Sequence, residues 1–505
     1  MGAKWRSSTW YITTVVAVGI TTDLLAYTIV VPIVPYRLQE LHYNNVSTLT
    51  SWLLFAYSFG IFFASLPVAY FFHIYPYRRI PLIVAVLVLE GSFVLFILVK
   101  PFWVMVISRF LQGVSSAVVW LVGLSLIIEN VPKKHIGRQL EFAVSGVSVG
   151  STIAPPIGGA LYSSLGWKAP FVFCIIISGA DLIARLLVVE QKDLRRDEPR
   201  TITNQKPFIP SEVEGDGERG PHETTESTVL AQNQDKIVSL HPIEDGSHNQ
   251  TVSTPNSPTD VTQNPARVAE PINERNRDEV SSEILLNPWQ VVKALTVNPR
   301  GTTSFLATFA FGLVVGALDP TLTLRVESVW GKSSAFVGLI YLAAAAPTFA
   351  AGPIIGHLAD KYGSEWFVAP SMLLTLPWFP LLILNNSLAG FIIFFALGNL
   401  FLNCALGPVS LELSLVAKDM PGIGEIHQFA GMNIAFAIST SVGAVVGGQL
   451  YDHASNGWVA VSWFCFGVCV SGIPSMVLYV GNRPLWIRMR GKRTEEGVVL
   501  QSPVA

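Results

Sequence analysis

Apolar positions run through this chain in stretches too long to be one face of a soluble helix. From Trp10 to Val189, and again from Thr302 to Val480, hydrophobic segments of about twenty residues alternate with short polar turns. That is the length a helix needs to cross a bilayer's hydrocarbon core at ~1.5 Å per residue. The pattern predicts spans at 10–36, 49–72, 80–99, 102–128, 140–165, 169–189, 302–325, 334–355, 366–385, 388–414, 426–450 and 458–481. Between the blocks the periodicity is lost, and Glu, Asp, Ser, Thr, Asn and Pro take over. Such a tract cannot bury enough apolar surface to offset its ordering entropy, so disorder is expected there. The chain therefore divides into a six-helix bundle (1–189), a linker (190–301), a second six-helix bundle (302–481) and a tail (482–505). The fold class is an all-α membrane protein with twelve transmembrane helices.

Charge sharpens this division. Only 13% of residues are charged, and 29 of the 68 Asp, Glu, Lys and Arg residues fall between Glu190 and Asn287. The rest of the chain is depleted of charge, as lipid-embedded helices must be. Basic residues also sort by side. Arg78 and Arg79 follow span two, Lys133, Lys134, His135 and Arg138 follow span four, and Arg195 and Arg196 follow span six. Arg483, Arg488, Arg490, Lys492 and Arg493 follow span twelve, whereas the alternate loops carry mainly Arg37, Lys100 and Lys168. The positive-inside rule then predicts both termini and the linker in the cytoplasm. Asn45-Val46-Ser47 falls in an external loop, which makes Asn45 the glycosylation candidate. The sequon at Asn249 is expected to stay bare inside, and the one at Asn385 lies close to the bilayer. Thr254-Pro255 and Ser257-Pro258 are either kinase sites or plain disordered composition. Cys174, Cys404, Cys465 and Cys469 lie in spans at spacings that fit neither a disulfide framework nor zinc, and read as small apolar fillers. The first segment is too long for a signal-peptide core and reads as a retained span.

The halves echo each other. Val31-Pro32-Ile33-Val34-Pro35-Tyr36-Arg37 closes span one, and Asp319-Pro320-Thr321-Leu322-Thr323-Leu324-Arg325 closes span seven with Pro and Arg at matching offsets. Gly150-x3-Ala154-Pro155-Pro156-Ile157-Gly158-Gly159 in span five matches Gly443-Ala444-Val445-Val446-Gly447-Gly448 in span eleven. Duplicated halves build a pseudo-symmetric transporter with its substrate site near the midplane.

Three motifs then give a resemblance. Gly356-His357-Leu358-Ala359-Asp360-Lys361-Tyr362-Gly363 lies between spans eight and nine, Arg109-Phe110-Leu111-Gln112-Gly113 lies in span four, and Gly146 to Gly159 fills span five. Across both membrane blocks the chain resembles the major facilitator superfamily. Within it, the chain looks like the twelve-span drug:proton antiporter branch, close to vesicular amine transporters and fungal multidrug or secondary-metabolite exporters. The resemblance implies alternating access and assigns gating to Arg78, Arg79, Gln112, Gly113, Gly150, Pro155, Pro156, Gly159, Gly356, Asp360, Lys361 and Gly363. It is imperfect in the first half, where His73 stands at the usual Asp of the loop motif, so the family's cytoplasmic lock is altered or carried by Asp360. Asn403 and Asn433 stand where vesicular amine transporters have acids, which leaves fewer anions to pair with an amine.

A charge at a helix centre costs roughly 2.5–3.5 kcal/mol on insertion scales, so each survivor asks for a reason. Asp23 lies midway along span one. Burying an anion there is costly, which favours proton exchange at this carboxyl or a structural tie to a neighbouring helix. Arg109 keeps its charge and can pair with such a carboxylate, or lock a helix end. Asp319 precedes Pro320, which frees a carbonyl and suits a gate helix. Glu412 is a coupling candidate or a surface residue. Asp181 and Arg185 share a helix face and read as a structural pair; Glu90, mid-span three, has no assigned role. The substrate cavity is expected to be aromatic and apolar with few polar anchors: Tyr27, Trp52, Tyr57, Trp120, Tyr341, Asn403 and Asn433. No P-loop, H-E-x-x-H, Gly-x-Ser-x-Gly or Rossmann pattern occurs, so neither an ATP-driven pump nor an enzyme is expected.

The expectation is a monomeric, multi-pass secondary transporter without cofactor, driven by the proton gradient. It exports an amphipathic small molecule, from the plasma membrane ahead of a vacuolar or vesicular one, with the lipid bilayer and no nucleic acid as partner. A vesicular amine loader, an uncoupled facilitator and a non-transporting receptor are the alternatives.

Overall fold

The computed structural model describes residues 6, 8–74, 78–132, 135–188, 297–418, 425–481 and 484–488. Nearly all of the linker, with Asn249, Thr254 and Ser257, lies outside the described residues. So do Lys133, Lys134, Arg483, most of the tail and the His73 side chain. The helices belong to one compact unit, residues 1–198 with 282–505.

The described secondary structure is helical. The first half contains α1 (Thr9–Thr28), α2 (Val34–Glu40), α3 (Val46–Ile74), α4 (Arg79–Leu98), α5 (Phe102–Asn130), α6 (Ile136–Val144), α7 (Gly146–Leu165) and α8 (Lys168–Leu187). The second half contains α9 (Pro299–Trp330), α10 (Ser334–Tyr362), α11 (Glu365–Thr375), α12 (Trp378–Leu381), α13 (Leu388–Cys404), α14 (Leu406–Lys418), α15 (Glu425–His453) and α16 (Gly457–Tyr479). Ten described helices or helix pairs are long and apolar enough to cross a membrane. The other two of the twelve predicted positions hold α7, whose sequence is rich in Gly and Ser, and the pair α11–α12.

Four predicted spans are corrected, each at an identifiable breaker. Span one does not run to residue 36: α1 ends at Thr28, a turn carries Pro32, and α2 begins beside Pro35. Span nine is divided at Leu376-Pro377, where proline removes a backbone donor. Span ten breaks at Ala405, just before Gly407-Pro408. Span five is shorter than 140–165, because Ser145 separates α6 from α7.

The internal repeat is real in three dimensions. Arg37 sits over the ring of Trp167, 5.2 Å from its centroid, and Arg325 sits over Trp458 at 5.6 Å. Trp167 and Trp458 stand at the starts of the last helices of their halves. The paired glycines also correspond. A Cβ on Gly158 would meet Ile29 in α1, and one on Gly447 would meet Ala317 in α9, each within its own half. Their neighbours reach across: a Cβ on Gly159 would lie 2.2 Å from the Ser334 carbonyl, and one on Gly448 would lie 2.6 Å from Ser51 Oγ. So α7 packs on α10 and α15 packs on α3, and these two crossings join the halves.

Candidate functional site

The midplane polar groups form one chain across the inter-half boundary. On α1, Asp23 is 2% exposed. Its Oδ1 accepts from Tyr57 Oη (3.0 Å), and its Oδ2 accepts from Ser116 Oγ (2.7 Å) and Trp120 Nε1 (2.9 Å). Three donors on two oxygens satisfy a buried carboxylate without a direct cation. One turn further along α1, the Tyr27 ring packs on Tyr57 with centroids 5.0 Å apart. Tyr27 Oη donates to Asp319 Oδ2 on α9 (3.2 Å), and Tyr341 Oη of α10 donates to Asp319 Oδ1 (3.4 Å). The two acidic residues, 296 positions apart, are thus joined through a pair of phenols whose rings touch at a 39° tilt.

Arg109 lies against the two phenol rings and is fully buried. Its guanidinium sits 4.8 Å from the Tyr57 ring centroid and 5.9 Å from that of Tyr27. Nη1 donates to Gln112 Oε1 (2.6 Å) and to the Ala26 carbonyl (3.3 Å), while Nε and Nη2 have no hydrogen-bond partner among the described residues. The cation is therefore held by ring faces and neutral oxygens, not by a salt bridge. Gly113 lets α5 approach closely enough for this: a Cβ there would lie 1.9 Å from the Tyr57 carbonyl oxygen.

A cavity of about 40 Å³ opens beside Asp319, walled by Val315, Leu318, Tyr341, Phe379, Phe395 and Asn399 among others. The lining is apolar and aromatic with few polar groups. Asp319 reaches it and Asp23 does not.

The structure thus brings together Asp23, Tyr27, Tyr57, Arg109, Gln112, Trp120, Asp319 and Tyr341. It separates the other candidates from them. Trp52 is 41% exposed and heads a ladder with Phe55 and Phe59 on the face of α3 opposite Tyr57, so it is corrected out of the cavity. Asn433 is half-buried on α15 and does not line the cavity. Asn403 does not line it either; its amide bonds to Asn399, a residue the sequence reading missed. Glu412 is at the face bearing the linker ends. It accepts from Arg300 Nε (2.6 Å), Ser364 Oγ (2.6 Å) and the Gly481 amide (3.0 Å), and so ties α14 to three helix ends of the second half.

The remaining motif residues also sit towards that face. Arg78 pairs with Glu129 (2.7 Å), and Arg79 donates to the Leu186 carbonyl. Asp360 and Lys361 are exposed, nothing approaches Gly356, and Gly363 takes a left-handed turn (φ 100°). Among the described residues Asp360 makes no ion pair. Asp181 and Arg185 pair as expected (2.7 Å). All four cysteines are buried and free. Asn45 is exposed in a left-handed turn (φ 53°).

This is the site of a membrane transporter, two helical halves meeting at a buried polar centre. The comparisons agree. The family model described as Major Facilitator Superfamily matches residues 16–233. The MFS-type transporter ppzB of Metarhizium rileyi is 26% identical over 510 residues, covering 95% of this chain and 97% of that one. A probable vesicular acetylcholine transporter-B of Danio rerio is 28% identical over 185 residues, 35% of this chain and 37% of that one. The crystal structure of the human organic anion transporter MFSD10 shares the fold, with a TM-score of 0.56 at 15% identity over 93% of this chain and 99% of that one. The chain is thus similar to major facilitator transporters, to the family model in its first half and to the ppzB transporter over nearly its whole length.

Proposed function

We propose that this transporter carries amphipathic organic cations out of the cytoplasm in exchange for protons. The observation that carries the reading is Asp319, a buried carboxylate that opens on an aromatic-walled cavity and, among the described residues, is bound only by two long phenol hydrogen bonds. A buried anion must be neutralised or paired. A proton does the first and a substrate cation the second, and one carboxylate cannot hold both. That exclusion is the elementary condition for antiport. Aromatic walls suit the apolar body of such a molecule and stabilise its charge through ring faces.

Asp23 belongs to the first half and Asp319 to the second, so a change at Asp319 is felt across the boundary. While Asp319 is anionic it accepts from Tyr27 and ties α1 to α9. Once it is protonated or engaged by a cation, that tie weakens, Tyr27 is released, and the Tyr27–Tyr57 ring contact passes the change to Asp23 and Arg109. The direction rests on basic residues clustering at the linker face, a bias that supports a cytoplasmic setting for it. Amine loading of a vesicle uses the same geometry and differs only in the membrane where the protein resides.

The test is flux in proteoliposomes under an imposed pH gradient, with a panel of amphipathic cations and an internal pH dye. Wild type should show compound-dependent proton movement, and both Asp23→Asn and Asp319→Asn should lose it. Compound uptake without proton movement would sink the antiport reading in favour of a facilitator.

A further inference from the structure

Besides Asp319, Asn399 on α13 lines the cavity, and Asn403 one turn along the same helix bonds to it. Asn403 Nδ2 lies 2.8 Å from the main-chain carbonyl of Asn399 and 2.6 Å from the Asn399 side-chain amide. A carbonyl oxygen only accepts, so the Asn403 atom facing it must be the amide nitrogen. The Asn399 atom facing that same nitrogen must then accept, which makes it Oδ1. The other end of the Asn399 amide is therefore NH2, and it has no partner among the described residues. Asn399 lines the cavity and Asn403 does not.

We propose that Asn399 is a specificity-determining residue: it donates a hydrogen bond to an acceptor oxygen on the substrate, and Asn403 is the positioning residue that holds the amide that way round. The proposal rests on reading the Asp319 cavity as the substrate site, and it narrows the class. The preferred cargo carries a cationic group for Asp319 and a carbonyl, ester or ether oxygen for Asn399. An orientation imposed from outside the pocket also explains why an amide serves here. A free amide could rotate to offer either end, whereas Asn403 leaves only the donor.

The test compares two probes of equal chain length, hexanoylcholine and nonyltrimethylammonium, which differ in having or lacking an ester. Binding is measured by titration calorimetry on the full chain in phosphatidylcholine nanodiscs, with empty nanodiscs subtracted. One neutral hydrogen bond gives wild type a preference of about fivefold for the ester. Asn399→Leu should bring the ratio to about one. Asn403→Asp removes the donor and leaves an acceptor in its place. The Asn399 amide then turns over, offers its oxygen to the cavity, and reverses the preference. A merely structural role would not produce that reversal. An equal ratio in wild type, or a ratio unchanged by Asn399→Leu, overturns the proposal. Alkyl-probe affinity that survives Asp319→Asn overturns the Asp319 reading instead, and no binding of either probe overturns both.

Discussion

At the scale of single residues, the centre is built from groups that would be costly alone. Arg109 has lost its water and gained two ring faces, one amide oxygen and one main-chain carbonyl. A planar guanidinium can satisfy those partners together, whereas a lysine ammonium cannot. Arg109→Lys is expected to fold, as judged by a monodisperse elution profile, yet to lose transport in the proteoliposome assay. Tyr57 donates to Asp23, packs tilted against Tyr27 and underlies Arg109. Tyr57→Phe keeps the ring and removes only the hydroxyl, leaving one Asp23 oxygen without its donor. The expected loss is about 1–3 kcal/mol, read as a lower thermal midpoint in a single mild detergent. A Tyr57→Phe midpoint equal to wild type would mean that Asp23 is not held as described.

Among the elements, glycine decides where helices touch. Gly113 and Gly356 belong to two motifs singled out from sequence, but their surroundings differ. A Cβ on Gly113 would run into the Tyr57 carbonyl, while one on Gly356 would meet nothing within 4 Å. Gly113→Ala is therefore expected to force α3 and α5 apart and destabilise by about 1–3 kcal/mol, whereas Gly356→Ala leaves the thermal midpoint in place. Much at this scale was legible in the sequence. Hydrophobic length predicted the spans, and the paired glycines and the Pro-to-Arg offset predicted a repeat that the Arg37–Trp167 and Arg325–Trp458 contacts confirm. Breaks at Pro377 and Ala405 were missed, because a broken span keeps the same hydropathy. Asp23, Arg109 and Asp319 stood out because charge in an apolar run is conspicuous. Asn399 did not, because its role depends on Asn403 one turn away and on a cavity wall from other helices. Likewise, Tyr27 and Asp319 are 292 residues apart, and no local pattern links them.

For the whole molecule, the hydrogen bonds between halves among the described residues lie at the midplane and at the face away from the linker. Thr48 donates its amide to Asp452 (2.7 Å), Gln39 Nε2 donates to Glu327 (2.9 Å), Tyr36 donates to the Lys332 carbonyl (2.5 Å) and Ser334 donates to the Gly159 carbonyl (3.2 Å). The halves are thus closed at that face, and alternating access requires these contacts to part. Tethering Gln39→Cys to Glu327→Cys with a short bis-methanethiosulfonate linker should abolish transport, and reductant should restore it. The four native cysteines are buried and leave the reaction to the introduced pair. Transport that continues while the tether is intact would mean that this closure is not part of the cycle.

The central claim is that proton and substrate compete for Asp319. The direct measurement is proton release on binding, followed with a pH dye in weakly buffered solution as nonyltrimethylammonium is added to the purified full chain. The account predicts that binding releases protons in wild type, and that Asp319→Asn abolishes the release. Binding without proton release, or release that persists in Asp319→Asn, would contradict it.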